Sequence, residues 1–272
     1  MRSGRRSFLR GIASVAGVAA AQTAQAQHVH EAPQREARSA PPVQAIPPGQ
    51  FGPDVVPVVS PDISDLPWRL EGEVKVFDIR VEPVRTEFVP GRVVDAWGMN
   101  GSIPGPTIQV NEGDRVRFVV ENRLPEPYSM HWHGLEVPNN MDGMPGISQD
   151  LIPPGGTFVY EFTLRQNGTF FYHTHVAMQQ GMGMVGLFII HPKVAHYPPV
   201  DRDIALIIQE WAILPGSSVH NTMSMEFNLF TLNGQAAPYI TPLVIKQGER
   251  VRIRLVNFSA IDHHPMHLHG MQ

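Results

Sequence analysis

The chain has 272 residues, of which 42% are hydrophobic and 17% are charged, and its formal net charge is −4. This length can hold one large domain or two small ones, and the acidic balance argues against a nucleic-acid-binding protein. No cysteine occurs in these residues, which excludes disulfides and thiolate metal ligands within them. The 24 glycines and 26 prolines favour a loop-rich β protein over a helical bundle.

Residues 1–26 have the features of an export signal. The arginine pair Arg5-Arg6 precedes a small-residue apolar run at 11–21, and Ala24-Gln25-Ala26 offers a cleavage site. The pair predicts export by the twin-arginine route, with an ordinary secretory signal as the alternative. The apolar run is too short to span a bilayer permanently. We therefore expect a periplasmic or secreted protein with no membrane segment after cleavage.

Residues 27–65 are rich in proline and poor in aromatic residues, which predicts an extended tail or linker. From about residue 70, short apolar runs alternate with glycine and proline turns. The predicted strands are 74–81, 107–110, 116–120, 158–162, 169–175 and 185–190. Many short strands with such turns indicate an all-β sandwich or barrel.

The sequence also contains an internal repeat. Asn100-Gly101, Gly113–Arg117 and Met130–Gly134 recur as Asn233-Gly234, Gly248–Arg252 and Met266–Gly270. Equivalent residues are 133 to 136 positions apart, which predicts two copies of one β domain, at 66–197 and 198–272. In the first copy a second histidine cluster follows His133 by 40 residues. The second copy lacks this part, so we expect an incomplete domain with unpaired strand edges.

Three histidine clusters are the candidate functional residues. They are His131-Trp132-His133-Gly134, His173-Thr174-His175 and the run from His263 to His269. In a strand, residues i and i+2 face the same side, roughly 6–7 Å apart. This spacing suits two neighbouring metal ions better than one chelated ion, so the clusters predict a multinuclear metal site. Imidazole binds zinc, copper, iron and nickel, and the spacing does not choose among them.

Other histidines and methionines near the clusters have simpler interpretations. Three histidines stand alone in the sequence and are expected in the core or on the surface: His191, His196 and His220. His263 has no counterpart in the first copy and is not expected to bind metal. Three methionines follow the second cluster: Met178, Met182 and Met184. Thioethers bind Cu(I), but we favour the interpretation that they fill gaps in the core.

At these residues the chain resembles the multicopper oxidases, the laccase and cuproxidase superfamily. The matching motifs are His131–Gly134, Phe171–His175 and His264–Gly270. The resemblance implies a cupredoxin fold, which is a Greek-key β-sandwich, with one complete domain and the first part of a second. No room is left for another domain between His175 and His264. The chain is therefore similar to the two-domain branch, whose members resemble trimers with copper clusters between subunits.

The resemblance also implies a role for each ligand. His131 and His267 would bind the type 2 copper, and His264 would be one ligand of the type 1 copper. The binuclear type 3 site would be bound by His133, His173, His175 and His269. Asp142 matches an acidic residue thought to supply protons to bound oxygen species, although an acid before glycine is also typical of a turn.

Two departures from the family pattern limit this expectation. The family's fourth motif, H-C-H-x-x-x-H, is absent from the 272 residues. It would supply the cysteine and second histidine of the type 1 site. Thr174 stands where a cysteine would place a type 1 site in the first domain, which argues against a nitrite reductase relative.

The sequence therefore predicts an exported copper oxidase. Its substrates would be O2 and a small reducing substrate or metal ion, and a full-length protein would form a homotrimer. The 272 residues alone are not expected to perform the reaction, because they lack the thiolate. The alternative is a periplasmic copper-binding or copper-tolerance module without catalytic activity.

Overall fold

The computed structural model describes residues 55–196, 198–224 and 226–269. The predicted signal and most of the predicted tail lie outside them. The strands are β1 (Val58–Val59), β2 (Trp68–Glu71), β3 (Val74–Val89), β4 (Arg92–Met99), β5 (Gly105–Asn111), β6 (Arg115–Asn122), β7 (Met130–His133), β8 (Thr157–Thr163), β9 (Gly168–Thr174), β10 (Val185–His191), β11 (Arg202–Trp211), β12 (Leu229–Leu232) and β13 (Val251–Asn257). Two short helices are described, a 3₁₀ turn at Asn139–Met141 and one α-helical turn, α1, at Ala177–Gln180.

Two sheets form the first sandwich. One has the order β2-β3-β6-β8, with β4 also paired to β3, and the other has the order β5-β10-β9-β7. Strand β6 shows why these residues form a half-buried strand, because Val116, Phe118, Val120 and Asn122 are buried and alternate with more exposed residues. The predicted all-β sandwich is confirmed.

Aromatic side chains fill the space between the two sheets. Trp132 of β7 is completely buried and lies 4.3 Å from Phe118 of β6, measured between ring centroids. Tyr160 and Phe162 of β8 contact the same indole ring. Because Trp132 sits between His131 and His133, the strand that carries two predicted metal ligands is fixed to the core by its middle residue.

Strand β3 is twice as long as predicted, with 16 residues that include Pro83. Its pairing with β6 ends at Val81, and beyond that point it pairs with β4, where Pro83 is opposite Trp97. Proline cannot donate a backbone hydrogen bond, so it is tolerated where a strand has a neighbour on only one side. The sequence pattern missed β4 altogether.

A third sheet contains β1, β11, β12 and β13, in which β11 pairs with β13 in parallel. The parallel pair β3–β6 has the same arrangement. Asn100 and Asn233 have matching φ angles of 51° and 50°, and Gly113 and Gly248 have φ angles of 95° and 92°. These matches are consistent with the predicted repeat, and the domain boundaries at 66–197 and 198–272 remain predictions.

The third sheet packs against the outer face of β10. Val185, Leu187 and Ile189 of β10 form a common core with Ala205 and Ile207 of β11. All seven residues of β10 are therefore buried. Strand β10 pairs with β9, the strand that carries His173. It is therefore packed on both of its faces.

Strand β13 pairs with β11 alone in the described part of the chain. Ile253 and Leu255 are 42% and 45% exposed, whereas Phe118 and Val120, their counterparts 135 positions earlier, are fully buried. In the first copy, β8 pairs with the other edge of β6. The expected open edge of the second copy is thus observed in these residues.

His191 has a structural position, as predicted for this residue. It is 2% exposed at the end of β10 that is remote from His173, and its Nε2 lies 3.1 Å from Oε1 of Gln109. Burial, followed by the nearby Arg254, lowers the pKa of His191 from 6.5 to about 4. The folded protein therefore keeps this histidine neutral under mildly acidic conditions.

This pKa predicts a pH dependence of stability. Between pH 6.5 and about 4, an unfolded His191 binds a proton that the folded protein excludes, so acidification favours unfolding. We expect the free energy of unfolding to fall over this window, and to fall less in His191→Asn. Asp65, whose pKa burial raises to about 6, acts in the opposite direction, so the variant must be compared with the wild type. Urea unfolding at pH 7 and pH 5 measures the free energy of unfolding of both proteins. If the difference between His191→Asn and the wild type is the same at the two pH values, the prediction is wrong.

Candidate metal centre

Antiparallel pairing of β7 with β9 assembles the first two histidine clusters. The register places His131 opposite His173, Trp132 opposite Tyr172 and His133 opposite Phe171. Because side chains alternate along a strand, the indole and phenol rings point into the core and the three imidazoles share the other face. His175 follows directly after the end of β9.

The four imidazoles are close enough to share metal ions. His131 lies 5.6 Å from His133, 5.3 Å from His173 and 5.1 Å from His175, measured between ring centroids. One ligand nitrogen from each of His131, His133 and His173 lies within 4.8 Å of the others, and no other group of this kind occurs in the described residues. His173 is 5% exposed, and His133 is on the surface.

Hydrogen bonds to backbone carbonyls set the tautomers of two of these histidines. Nδ1 of His131 lies 2.7 Å from the carbonyl oxygen of Asp142, and Nδ1 of His173 lies 2.6 Å from that of Thr174. A carbonyl oxygen can only accept, so Nδ1 carries the proton in both rings and Nε2 has a free lone pair. Such bonds are typical of metal-binding histidines.

The separation of the facing nitrogens fits a bound metal ion. Nδ1 of His133 and Nε2 of His173 are 3.3 Å apart. Two nitrogens bound at about 2.0–2.1 Å to one tetrahedral ion lie roughly 3.3 Å from each other. The donor set is entirely imidazole, which suits copper among other metals. The cluster therefore has the donors and the spacing to bind a transition metal.

The pKa values of two histidines also favour neutral imidazole, the form that binds metal ions. Burial is the main cause that lowers the pKa of His173 to about 3, and the other three imidazoles contribute in the same direction. Burial, with His131 and His175, also lowers the pKa of His133. Both rings are thus neutral near pH 7, which is the form that binds metal ions.

Sequence models described as multicopper oxidase match residues 80–195 and 214–272. The chain belongs to the multicopper oxidase family. Members of this family use copper as their cofactor, and the family accounts for the all-imidazole cluster on β7 and β9. In the described residues, no helix is long and apolar enough to cross a membrane.

Known multicopper oxidases resemble this chain in sequence and in fold. A copper resistance protein A homolog from Pseudomonas syringae pv. tomato is 40% identical over 136 residues, which are 50% of this chain and 23% of that protein. An L-ascorbate oxidase from Cucurbita pepo var. melopepo is 42% identical over 119 residues, which are 42% of this chain and 22% of that protein. The chain thus spans about a quarter of these relatives.

The crystal structure of the blue copper oxidase from Nitrosomonas europaea superimposes with a TM-score of 0.62 at 33% identity, covering 68% of this chain and 61% of that one. A second multicopper oxidase structure gives a TM-score of 0.61 at 33% identity, covering 70% of this chain and 64% of that one. The cupredoxin-like fold implied by the histidine motifs is confirmed.

Asp142 contacts the histidine cluster mainly through its backbone. Its carbonyl accepts the hydrogen bond from His131, and its carboxylate Oδ1 is 3.5 Å from the same Nδ1. The side chain remains 34% exposed. The residue therefore positions His131, and its carboxylate lies between the imidazole and solvent.

Gly143 lets this turn approach β7. It has a φ of +79°, and a Cβ atom at this position would lie 1.7 Å from the carbonyl oxygen of Met130. Both the positive φ and the backbone contact require glycine here. The turn that follows Asn139–Met141 thus contacts the backbone of β7, the strand that carries His131.

We predict that Gly143→Ala displaces this turn and weakens metal binding. The clash is with backbone, so the Asp142 carbonyl must move away from His131. We expect a loss of stability of about 2 kcal/mol or more, from strain and the broken contact. Gly146→Ala is the control, because Gly146 also has a positive φ but has no atom near its Cβ position. Urea unfolding measures the difference, and equal losses in both variants would contradict this account.

Sequence reasoning missed two aromatic residues of the site. Phe171 stacks on His133 with a centroid distance of 4.2 Å and an interplanar angle of 17°. Phe258, which follows β13, lies 5.5 Å from His173 and 5.7 Å from Phe171. Phe171 has a signal in the sequence, because it precedes His173 by two residues and shares its face. Phe258 has none, because its counterpart in the first copy is Arg123.

Thr174, which replaces a potential cysteine, has a clear structural role. It is fully buried, and its hydroxyl donates to Oε1 of Gln179 at 3.0 Å. The amide nitrogen of Gln179 donates to the carbonyl oxygen of Pro127 at 2.9 Å. Thr174 therefore anchors helix α1 directly after His173 and His175. Of the nearby methionines, Met184 is buried in the core, whereas Met178 is 45% exposed.

The third cluster is separate from the other two in this chain. His267 and His269 are exposed, and their ring centroids are 4.7 Å apart. His264 is half-buried, with Nε2 2.7 Å from the hydroxyl of Ser259. Residues 264–269 contain no strand, so the expectation that each histidine pair lies on a strand is wrong here. The proline at 265 removes a backbone donor, which is consistent with this result.

Proposed function

We propose that this chain is part of an oxidase that couples one-electron oxidation of a small donor to reduction of O2 to water. The observation that carries the proposal is the group of four imidazoles, three on β7 and β9 and one, His175, directly after β9. Two of them are held with Nε2 free, and the pKa values of two are lowered. When bound, copper would supply the one-electron redox chemistry, while the protein supplies the ligand geometry.

The resemblance to the family's histidine motifs supports an individual role for each residue. We propose His131 with His267 for the type 2 copper and His264 for the type 1 copper. The type 3 pair would be bound by His133, His173, His175 and His269. Asp142 would pass protons from solvent towards the site, because its half-exposed carboxylate lies 3.5 Å from Nδ1 of His131. Phe171 and Phe258 would exclude water from one side of the imidazoles.

A homotrimer would complete the site. His267 and His269 are exposed and do not join the cluster on β7 and β9 within one chain. In a trimer, this pair would come from a neighbouring subunit. The donor would be a phenol or a metal ion, and we propose export to the periplasm by the twin-arginine route.

A second candidate function is copper binding without catalysis. The relatives named copper resistance protein A favour it. Such a module would use the same histidines to sequester copper.

Oxygen uptake by the protein isolated from its source, with its intact mass measured, distinguishes the two functions. The oxidase proposal expects copper-dependent O2 consumption with a phenol, Cu(I) or Fe(II), and its loss in His133→Ala. A protein that binds copper tightly but consumes no O2 with any of these donors would favour the binding module.

A further inference from the structure

Glu210 is a buried acid with one oxygen that lacks a partner. It lies in β11, and its side chain is completely inaccessible to solvent. Oε1 accepts hydrogen bonds from the backbone N–H groups of Ile261 at 2.8 Å and Asp262 at 3.5 Å. Oε2 has no hydrogen-bond partner in the described part of the chain. A buried oxygen without a partner is costly, so its surroundings indicate its role.

The neighbour of this oxygen is the imidazole of His264. Nε2 of His264 lies 3.7 Å from Oε2 of Glu210 and 2.7 Å from Oγ of Ser259. The ring of Phe230 meets His264 edge-on at a centroid distance of 5.7 Å. Two oxygen atoms and the ring of Phe230 are thus the neighbours of this imidazole.

We propose that Glu210 is a positioning residue that holds the proton of His264 on Nε2. A neutral imidazole carries one proton. The Glu210 carboxylate can only accept and the Ser259 hydroxyl can also accept, so the carboxylate favours the proton on Nε2 and the hydroxyl is compatible with it. Nδ1 is then left with its lone pair free for a metal ion. The same carboxylate binds the backbone of residues 261–262, so it orients both the imidazole and the loop that carries it. The metal-binding part of this inference rests on the proposed role of His264 as a copper ligand.

The tautomer of His264 tests the proposal directly. Long-range ¹H–¹⁵N correlation spectra of the metal-free chain with ¹⁵N-labelled histidine distinguish the protonated from the bare ring nitrogen. At pH 8, where an ordinary histidine is neutral, we expect the proton on Nε2. A wild-type spectrum with the proton on Nδ1 would overturn the proposal, whatever the variants show.

Glu210→Gln provides a second test with an unusual expected result. The backbone N–H groups of Ile261 and Asp262 require the oxygen of the new amide, so its NH₂ group must face His264. An NH₂ group can only donate, so we expect the proton to move from Nε2 to Nδ1. Glu226→Gln, at an exposed acid, should leave the tautomer unchanged. An unchanged tautomer in Glu210→Gln would count against the positioning role.

Addition of Zn²⁺ tests the ligand role of His264 separately from its contact with Glu210. This ion is diamagnetic, so the NMR signals remain observable. A zinc-dependent shift at Nδ1 of His264 would support both. The predicted tautomer without any zinc response at His264 would support the Glu210 contact and contradict the ligand role. Zinc binding through Nε2 would overturn the inference.

Discussion

His173→Ala is expected to abolish tight copper binding by the cluster on β7 and β9. His173 is the most buried of the four imidazoles, and its Nε2 faces Nδ1 of His133 at 3.3 Å. It is also opposite His131 in the strand register. Its loss therefore removes the central ligand of the group. We expect the affinity for Cu²⁺ to fall by about 100-fold or more, which exceeds the usual effect of losing a supporting hydrogen bond.

Competition with a chelator of known affinity measures this change in the purified chain. His196→Ala is the matched control, because His196 is exposed and does not belong to the cluster. We expect the control to bind copper like the wild type. Circular dichroism must show that His173→Ala keeps its β structure. An unchanged affinity in a folded His173→Ala protein would contradict the proposed site.

Trp132→Ala is expected to destabilise the first sandwich by about 3–5 kcal/mol, the usual range for a large buried aromatic residue. Its ring lies within 6.3 Å of Phe118, Tyr160, Phe162, Tyr172 and Phe188, measured between centroids. Because this residue fixes the middle of β7, copper affinity should fall together with stability. Trp132→Phe should cost less, because the indole nitrogen is buried without a hydrogen-bond partner in the described residues.

Trp68→Ala provides the comparison for the same chemical change. Trp68 is only partly buried at the edge of its sheet, where it packs against the rim of the core, and the amine of Lys75 lies 4.9 Å from its ring centroid. We expect a loss of about 1 kcal/mol and no change in copper affinity. Urea unfolding measures all three variants. A smaller loss for Trp132→Ala than for Trp68→Ala would refute the central role of Trp132.

The shared face of the histidines on β7 and β9 was predictable because the alternation of side chains in a strand is local. His131 and His133 share a face whatever their partner strand, and the same is true of His173 and His175. The third pair shows the limit of this reasoning. A proline next to His264 and the lack of a neighbouring strand leave residues 264–269 outside any sheet. Alternation predicts a shared face only where a strand forms.

The sequence by itself determined the all-β class, the family and the histidines that can bind metal, because these depend on local periodicity and on motifs. Tertiary structure alone decided that His131 lies opposite His173, that the Asp142 carbonyl sets the tautomer of His131, and that Phe258 reaches the cluster. Glu210, 54 positions before His264, is a further example. Each contact joins segments whose relative register is selected by the packing of buried faces, and no short-range pattern in the chain records that register.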